Sequence, residues 1–393
     1  MSPRTAPRPR FYSGKLVRAR FIERPNRFVV WVRLSNGRRV KAYMPNPGRL
    51  QELLLPDAEL YLEKKAPALD DTKVPRRTDY TILAVEREGA PVFLHTHRTN
   101  DVAAWLLGKG LVPGLEKARP LAAEVKHGRS RFDFLMEEKG RRFFLEVKSV
   151  TLFGNGAAMF PDAVTERGRR HILELAEMPP DVRPVTLFLV HSLSVDRFLP
   201  DYHTDLAFSQ AFVEVGDRVR FLPLSIGWNK ELELEPEYRL LNIPWKHIAR
   251  EARDRGAYLL ILRLKKQRSV GIGSLGEIVF KPGYYVYVGS AMQNLSARVR
   301  RHLSRRKRMH WHIDYLREAA DEVKALPIRG SLRRECEIAR AADKIMDDGP
   351  IGFGCSDCNC EQHLFHSPTN PLDRRDFHAL LESFRMQRPE EQA

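Results

Sequence analysis

Residues 130–151, SRFDFLMEEKGRRFFLEVKSVT, hold Asp133 and, thirteen residues later, the Glu-x-Lys pair Glu146 and Lys148. Phe132, Phe134 and Met136 alternate with Arg131, Asp133 and Leu135, a period of two that predicts a strand. Residues 137–140 are polar and end in glycine, which reads as a hairpin turn. On the returning strand Phe143, Leu145 and Val147 form one face, and Phe144, Glu146 and Lys148 the other. With a symmetric turn Asp133 lies opposite Phe144 and diagonal to Glu146, so both carboxylates share one face. A one-residue slip would separate them. Two carboxylates with phosphate oxygens and water suit Mg²⁺ or Mn²⁺. Such a cation activates a water and neutralises phosphate charge, while Lys148 steadies the transition state. The pattern predicts metal-dependent phosphodiester hydrolysis; its rival is an exposed hairpin face carrying ordinary charges.

Two further clusters carry chemistry. The block 165–171 brings Arg167, Arg169, Arg170 and His171 to the start of a helix. Helical spacing sets Arg167, Arg170 and His171 on about one face, either for phosphate contact or as a solvated basic surface. Near the end, GFGCSDCNCEQHLF spaces Cys355, Cys358, Cys360 and His363 as C-x₂-C-x-C-x₂-H. Three sulfurs and an imidazole fit a structural tetrahedral Zn²⁺, with Cys336 able to replace one of the thiols. The alternative is a group of buried cysteines at a domain edge.

These residues need scaffolds. The 393 residues allow two or three domains, and 43% hydrophobic content makes the chain globular. Lys and Arg number 66 against 50 Asp and Glu, a formal charge of +16, which favours a polyanion over a membrane surface. There is no run of about 18 apolar residues, and MSPRTAPRPR lacks an apolar signal core. The expectation is a cytoplasmic protein with no membrane partner; the sequence sets no oligomeric state. Four cysteines, three of them clustered, point to metal rather than to a disulfide framework.

After a basic arm, residues 11–79 read as all-β, with Asn36-Gly37 as a hairpin turn and a break at residues 45–48. A small nucleic-acid-binding barrel fits this segment. Residues 80–225 read as α/β, with helices at 100–109 and 164–177 and a buried strand at 185–190. The acidic, proline-containing stretch 226–255 reads as a linker, 256–366 as another α/β unit with a Cys/His tail, and 367–393 as a C-terminal tail.

Residues 11–225 resemble the sugar fermentation stimulation protein A family in the ordered blocks GKLVRARFIERPNRFVVWVRL, PNPG, SRFDFL, FLEVKSVTL and FPDAVTERGRRHILEL. The resemblance implies an OB-like barrel joined to a PD-(D/E)XK nuclease-like core, and binding of DNA. It assigns Asp133, Glu146 and Lys148 to the nuclease motif, with Glu124 a weaker additional carboxylate. One departure is Pro47, where the family loop usually reads Pro-Asn-Thr-Gly; any role for that hydroxyl is lost here.

Residues 256–366 resemble a GIY-YIG nuclease domain, with Gly256-Ala257-Tyr258 and Tyr287-Val288-Gly289 as the two tripeptides. Arg298 and His302, four apart on one helical face, match the Arg-x-x-x-His spacing that follows the second tripeptide. The resemblance implies Glu335 as the Mg²⁺ or Mn²⁺ ligand, with Glu318 as a fallback. It implies Tyr258 or Tyr287 as the water-activating group and Arg298 as the stabiliser of phosphate charge. The run 298–308 has seven Lys and Arg residues and no acid, which favours phosphate contact by Arg301, Arg305 and Arg306. His310 and His312 flank Trp311, a pattern that reads chiefly as a packed edge. The fold class expected is therefore multidomain α/β and α+β: OB-like barrel, PD-(D/E)XK-like core and GIY-YIG-like C-terminal domain. The function expected is a DNA-binding, divalent-metal-dependent endonuclease. The alternative is a non-cleaving nucleic-acid-binding regulator on the same folds, and an RNA substrate is also compatible.

Overall fold

The computed structural model describes residues 8–65, 78–179, 182–305, 308–355 and 358–388. The chain divides into two compact units, Met1–Pro200 with Ala211–Pro244, and Asp201–Gln210 with Trp245–Ala393.

The first unit opens on a barrel. Val29–Leu34 turns through Asn36-Gly37 into Arg39–Tyr43; Gly37 has φ +81°, and Asn36 Oδ1 accepts the Arg38 N–H at 3.1 Å. Lys15–Asn26 pairs with Val29–Leu34 on one side and Glu59–Lys64 on the other. Tyr80–Arg87 adds antiparallel to Glu59–Lys64 and closes the barrel by pairing in parallel with Arg39–Tyr43. Ala90–Phe93 completes the sheet, so the barrel runs past the expected limit at residue 79. Closure needs a strand distant in sequence, which local patterning does not show.

The second layer is the six-stranded sheet that carries the hairpin. Helix Thr99–Gly108 leads to the antiparallel strands Arg119–His127, Ser130–Glu138 and Arg141–Val150. Helix Glu166–Ala176 then crosses to Val185–Val190, which lies parallel to Arg141–Val150 with Val185 facing Leu145. All six residues of Val185–Val190 are buried and five are apolar, Thr186 being the exception, as suits an interior parallel strand. Val102, Leu106 and Leu107 of the first helix share a core with Phe134, Met136, Leu145, Val147 and Leu187. Burying each such side chain contributes about 1.5–3 kcal/mol. The stretch expected as a linker is partly regular. Leu234–Leu240 is the edge strand beside Arg220–Trp228, and Trp245–Glu251 is a helix. An edge position tolerates Pro236 and exposed charges, which is why this strand reads as a linker in sequence.

In the second unit Gly256–Leu264 is central, flanked by Gly283–Ala291 and Glu322–Arg329, all antiparallel; Leu364–Ser367 and Asp347–Asp348 extend the sheet. Helices Leu295–Leu303, His312–Ala319 and Glu335–Asp343 surround it. The expected tail also folds: helix Arg375–Arg385 buries Phe377, Leu380 and Leu381 in a core with Leu259, Ile261, Val286 and Ile338. Its i, i+3, i+4 apolar spacing specifies that docking face. Among the described residues no helix is long and apolar enough to cross a membrane.

Candidate active and metal sites

The hairpin loop is tighter than its polar stretch predicts. Pairing runs to Glu138 opposite Arg141, leaving Lys139 (φ +50°) and Gly140 (φ +76°) as a two-residue turn. Two successive positive φ values give the turn that matches strand twist. Relative to a four-residue turn the register moves by two, so each side chain keeps its face. Phe134 faces Leu145, and continuing that register puts Asp133 across from Glu146 rather than diagonal to it. The regular ladder stops there, and the Val147 N–H donates to Asp133 Oδ2 at 2.7 Å.

Asp133, Glu146 and Lys148 line one cleft of about 650 Å³ with Asn100, Glu124, Arg167 and the loop at residues 46–48. Asn100, at the start of helix Thr99–Gly108, donates to Asp133 Oδ1 at 2.7 Å. Burial, reinforced by Glu146, pushes the Asp133 carboxyl up to about 6. Glu146 goes the other way. Burial opposes its charge, but His171 Nδ1 at 2.6 Å from Oε1 and Lys148 Nζ at 2.5 Å hold it below the usual carboxylate range. Its other oxygen, Oε2, is buried with no hydrogen-bond partner among the described residues.

The helix that bears the basic block splits its residues. Thr165 caps it by accepting the Gly168 N–H at 3.0 Å, and Gly168, His171, Ile172 and Leu175 form its buried stripe. His171 is therefore inside, 1% exposed, and its role is to hold Glu146 rather than to touch a phosphate. Arg167 is exposed at the cleft, with Nε 3.3 Å from His171 Nε2. Arg170 is exposed and lies 3.8 Å from Glu174. Glu124 sits at φ +56°, exposed, 3.5 Å from Arg131.

The loop at residues 45–48 is clamped by Arg24, whose guanidinium donates to the carbonyls of Arg27, Asn46, Gly48 and Arg49 at 2.7–3.0 Å. A Cβ on Gly48 would stand 2.1 Å from Asp162 Oδ2 and 2.9 Å from Asn46 Oδ1, so a larger residue would push both side chains aside. One more device lies beyond Lys148. Trp228 Nε1 donates to His191 Nδ1 at 3.0 Å, which leaves the proton on Nε2, 3.1 Å from Ser149 Oγ. Burial pushes His191 down to about 3, so it stays neutral and fixes the serine at the cleft wall. Asn100, His171 as a positioner, and His191 lie far from the hairpin in sequence, and local patterning does not mark them.

In the second unit Tyr258, from the central strand, is buried with its hydroxyl 3.0 Å from His302 Nε2. His302 Nδ1 lies 3.3 Å from Asp314 Oδ1, and Arg301 grips Asp314 through two bonds of 3.0 and 2.9 Å. Arg301 is thus occupied internally rather than offered to a phosphate. Arg298 and Arg301 both stack on Trp311, at 4.2 and 4.3 Å. Tyr287 is buried with its ring 6.4 Å from that of Tyr258. Burial drives the Tyr258 hydroxyl above its ordinary value, and Arg298 works against that rise. Arg305 is exposed, with Nη2 3.4 Å from the Asp321 carbonyl; Arg306 lies outside the described residues. Glu318 is exposed.

Glu335 is already engaged. Ser290 Oγ donates to its Oε2, and its Oε1 lies 3.3 Å from His363 Nδ1. Behind that histidine, one ligand atom each from Cys336, Cys358, Cys360 and His363 gather within 4.8 Å of one another. Cys355 is not among them; its Sγ lies 3.4 Å from the Glu361 carbonyl. Cys336, on the first turn of helix Glu335–Asp343, takes the place expected for Cys355 because the tail folds back against that helix.

Residues 22–94 match the family model of the SfsA N-terminal OB domain, and 97–231 that of the sugar fermentation stimulation protein RE domain. A sugar fermentation stimulation protein homolog of Clostridium novyi is 37% identical over 200 residues, covering 50% of this chain and 84% of the relative. The chain belongs to the sugar fermentation stimulation protein family. A homolog from Methanothermobacter thermautotrophicus is 37% identical over 228 residues, 57% of this chain and 92% of the relative. The structure of Pyrococcus furiosus SfsA in complex with Ca²⁺ has a TM-score of 0.53 and 29% identity, covering 60% of this chain and 98% of that one. Residues 257–386 match the domain of unknown function DUF123, which adds a GIY-YIG-like domain to the family architecture.

Proposed function

We propose that the family core of this chain binds DNA and hydrolyses phosphodiester bonds with a divalent cation held by Asp133 and Glu146. The observation that carries the reading is the buried, unpartnered Glu146 Oε2, set across from Asp133 in an open cleft. Two carboxylates with no thiol among them are a donor set for a hard cation such as Mg²⁺ or Mn²⁺. The Ca²⁺ complex of the Pyrococcus furiosus relative supports a site of that class in this fold. When bound, such a cation polarises the phosphate and lowers the pKa of water.

The chain's own residues do the rest. Asn100 and the Val147 N–H orient Asp133, and His171 orients Glu146. Lys148 places an ammonium beside the carboxylates, where charge builds on the attacked phosphate. Arg167 and the backbone of the clamped loop line the same cleft, as contacts for the flanking phosphates. On the barrel, Trp31 carries Lys41 at 5.0 Å and Arg39 at 5.8 Å, and Phe28 is 51% exposed. Trp31 on strand Val29–Leu34, Phe28 just before that strand, and the cations of strand Arg39–Tyr43 make a stacking platform for bases.

The test is cleavage of labelled duplex, single-stranded and branched DNA and of RNA, in Mg²⁺, Mn²⁺ or EDTA, by wild type and Glu146→Ala. The expected result is metal-dependent cutting of DNA that Glu146→Ala abolishes while binding persists. Tight binding without cutting in any metal would make the chain a non-cleaving binding protein. Cutting that survives Glu146→Ala would move the chemistry away from this cleft.

A further inference from the structure

We propose that the C-terminal domain holds a structural Zn²⁺ on Cys336, Cys358, Cys360 and His363, and that Glu335 serves this centre by orienting His363 instead of holding a catalytic cation. Tetrahedral zinc with Zn–S near 2.3 Å and Zn–N near 2.1 Å separates sulfurs by about 3.8 Å and sulfur from nitrogen by about 3.6 Å. The four donor atoms lie within 4.8 Å of one another, and Cys358 Sγ stands 3.5 Å from His363 Nε2. That cage therefore closes on zinc with small side-chain shifts.

His363 faces the cage with Nε2 and lies 3.3 Å from Glu335 Oε1 with Nδ1. A zinc-ligating histidine usually gives its second N–H to a carboxylate, which fixes its tautomer and raises its basicity. Both oxygens of Glu335 are then used, one by His363 and one by Ser290. The ligands come from three places: the helix start at Cys336, the loop with Cys358 and Cys360, and His363 at the edge of strand Leu364–Ser367. Zinc would staple that loop to the sheet and the helix. The site shares no residue with the carboxylate cleft and does not depend on the cleavage reading.

The test is metal analysis of the purified full chain, followed by chelator competition. Wild type and Cys355→Ser should each carry about one zinc per chain, and Cys336→Ser and Cys358→Ser close to none. Glu335→Gln should keep the stoichiometry but release zinc to the chelator with affinity lowered roughly 10- to 100-fold. If the cysteine variants are insoluble, cobalt exchange into wild type decides, since a tetrahedral thiolate-rich site gives strong visible and near-ultraviolet bands. Zinc-free wild type without those bands, or Cys355→Ser losing zinc as Cys336→Ser does, overturns the site. Unchanged zinc affinity in Glu335→Gln overturns the role of Glu335.

Discussion

Asp133→Asn should stabilise the metal-free protein above pH 6. Burial, then the facing Glu146, lifts the Asp133 carboxyl from 3.8 to about 6. Each pH unit corresponds to about 1.4 kcal/mol, so ionised Asp133 costs the fold about 3 kcal/mol at pH 8 relative to the unfolded chain. A carboxyl whose folded value lies above its unfolded value binds its proton more tightly in the folded state. The penalty is therefore complete above pH 6 and relaxes as pH falls towards 4; by pH 5 about 1.4 kcal/mol of it has been recovered. Asparagine keeps the volume and an acceptor for the Val147 N–H, but the Asn100 amide that donates to Oδ1 must turn round. That mismatch trims the gain at pH 8 to about 1–2 kcal/mol without changing its pH dependence. Urea unfolding in EDTA, wild type beside variant, should show the variant's advantage shrinking by about 1.4 kcal/mol from pH 8 to pH 5. Millimolar Ca²⁺ or Mg²⁺ should stabilise wild type and not the variant, because only wild type offers the paired carboxylates. An advantage that is constant with pH, or that grows on acidification, refutes the account of the site.

Two other substitutions probe the geometry. His171→Ala should lower the rate of metal-dependent cleavage by about 10- to 100-fold with nucleic-acid affinity unchanged, since the ring is buried on Glu146; loss of affinity in a binding titration would make it a phosphate contact after all. Gly289→Ala puts a Cβ 2.5 Å from Cζ and the hydroxyl of Tyr258, and should destabilise the chain by about 1–3 kcal/mol in thermal or urea unfolding; a neutral result would mean that Tyr258 is free to move.

The carboxylate face was legible because strand parity survives an even register error: a two-residue turn in place of four moved Asp133 from opposite Phe144 to opposite Glu146 without turning either away. The lysine-glycine pair at 139–140 was the signal for the tighter turn. His171 was misread because the basic residues drew attention away from the stripe Gly168, His171, Ile172 and Leu175, whose i, i+3, i+4, i+7 spacing marks the inner face. The cysteine tail was legible as a cluster but not as a ligand set. Choosing Cys336 over Cys355 requires the fold that lays the tail on helix Glu335–Asp343. Barrel closure and the docking of helix Arg375–Arg385 are likewise long-range, and composition alone marked neither.

The two carboxylates differ in a way that bears on how the cleft would take a polyanion under the proposed function. Glu146 is kept ionised by His171 and Lys148, while Asp133, facing it, holds its proton to about pH 6. Environments that push paired acids apart are a mark of sites where charge is managed for chemistry. The chain as a whole carries +16, yet this cleft sets the carboxylates of Glu124, Asp133, Glu146 and Asp162 among the cations Arg27, Lys148 and Arg167, so the acids there would oppose an incoming phosphate. A phosphate entering without a counter-ion would raise Asp133 further and keep its proton on, so metal-free binding should favour the protonated pair. A divalent cation held by Asp133 and Glu146 would replace that proton and remove the repulsion. If the proposed function holds, cation and nucleic acid strengthen each other's binding, and linkage requires the coupling to be equal in both directions. On the proposed reading the cleft would hold the phosphate best with the cation present, and the protonated Asp133 would be its resting state in acid.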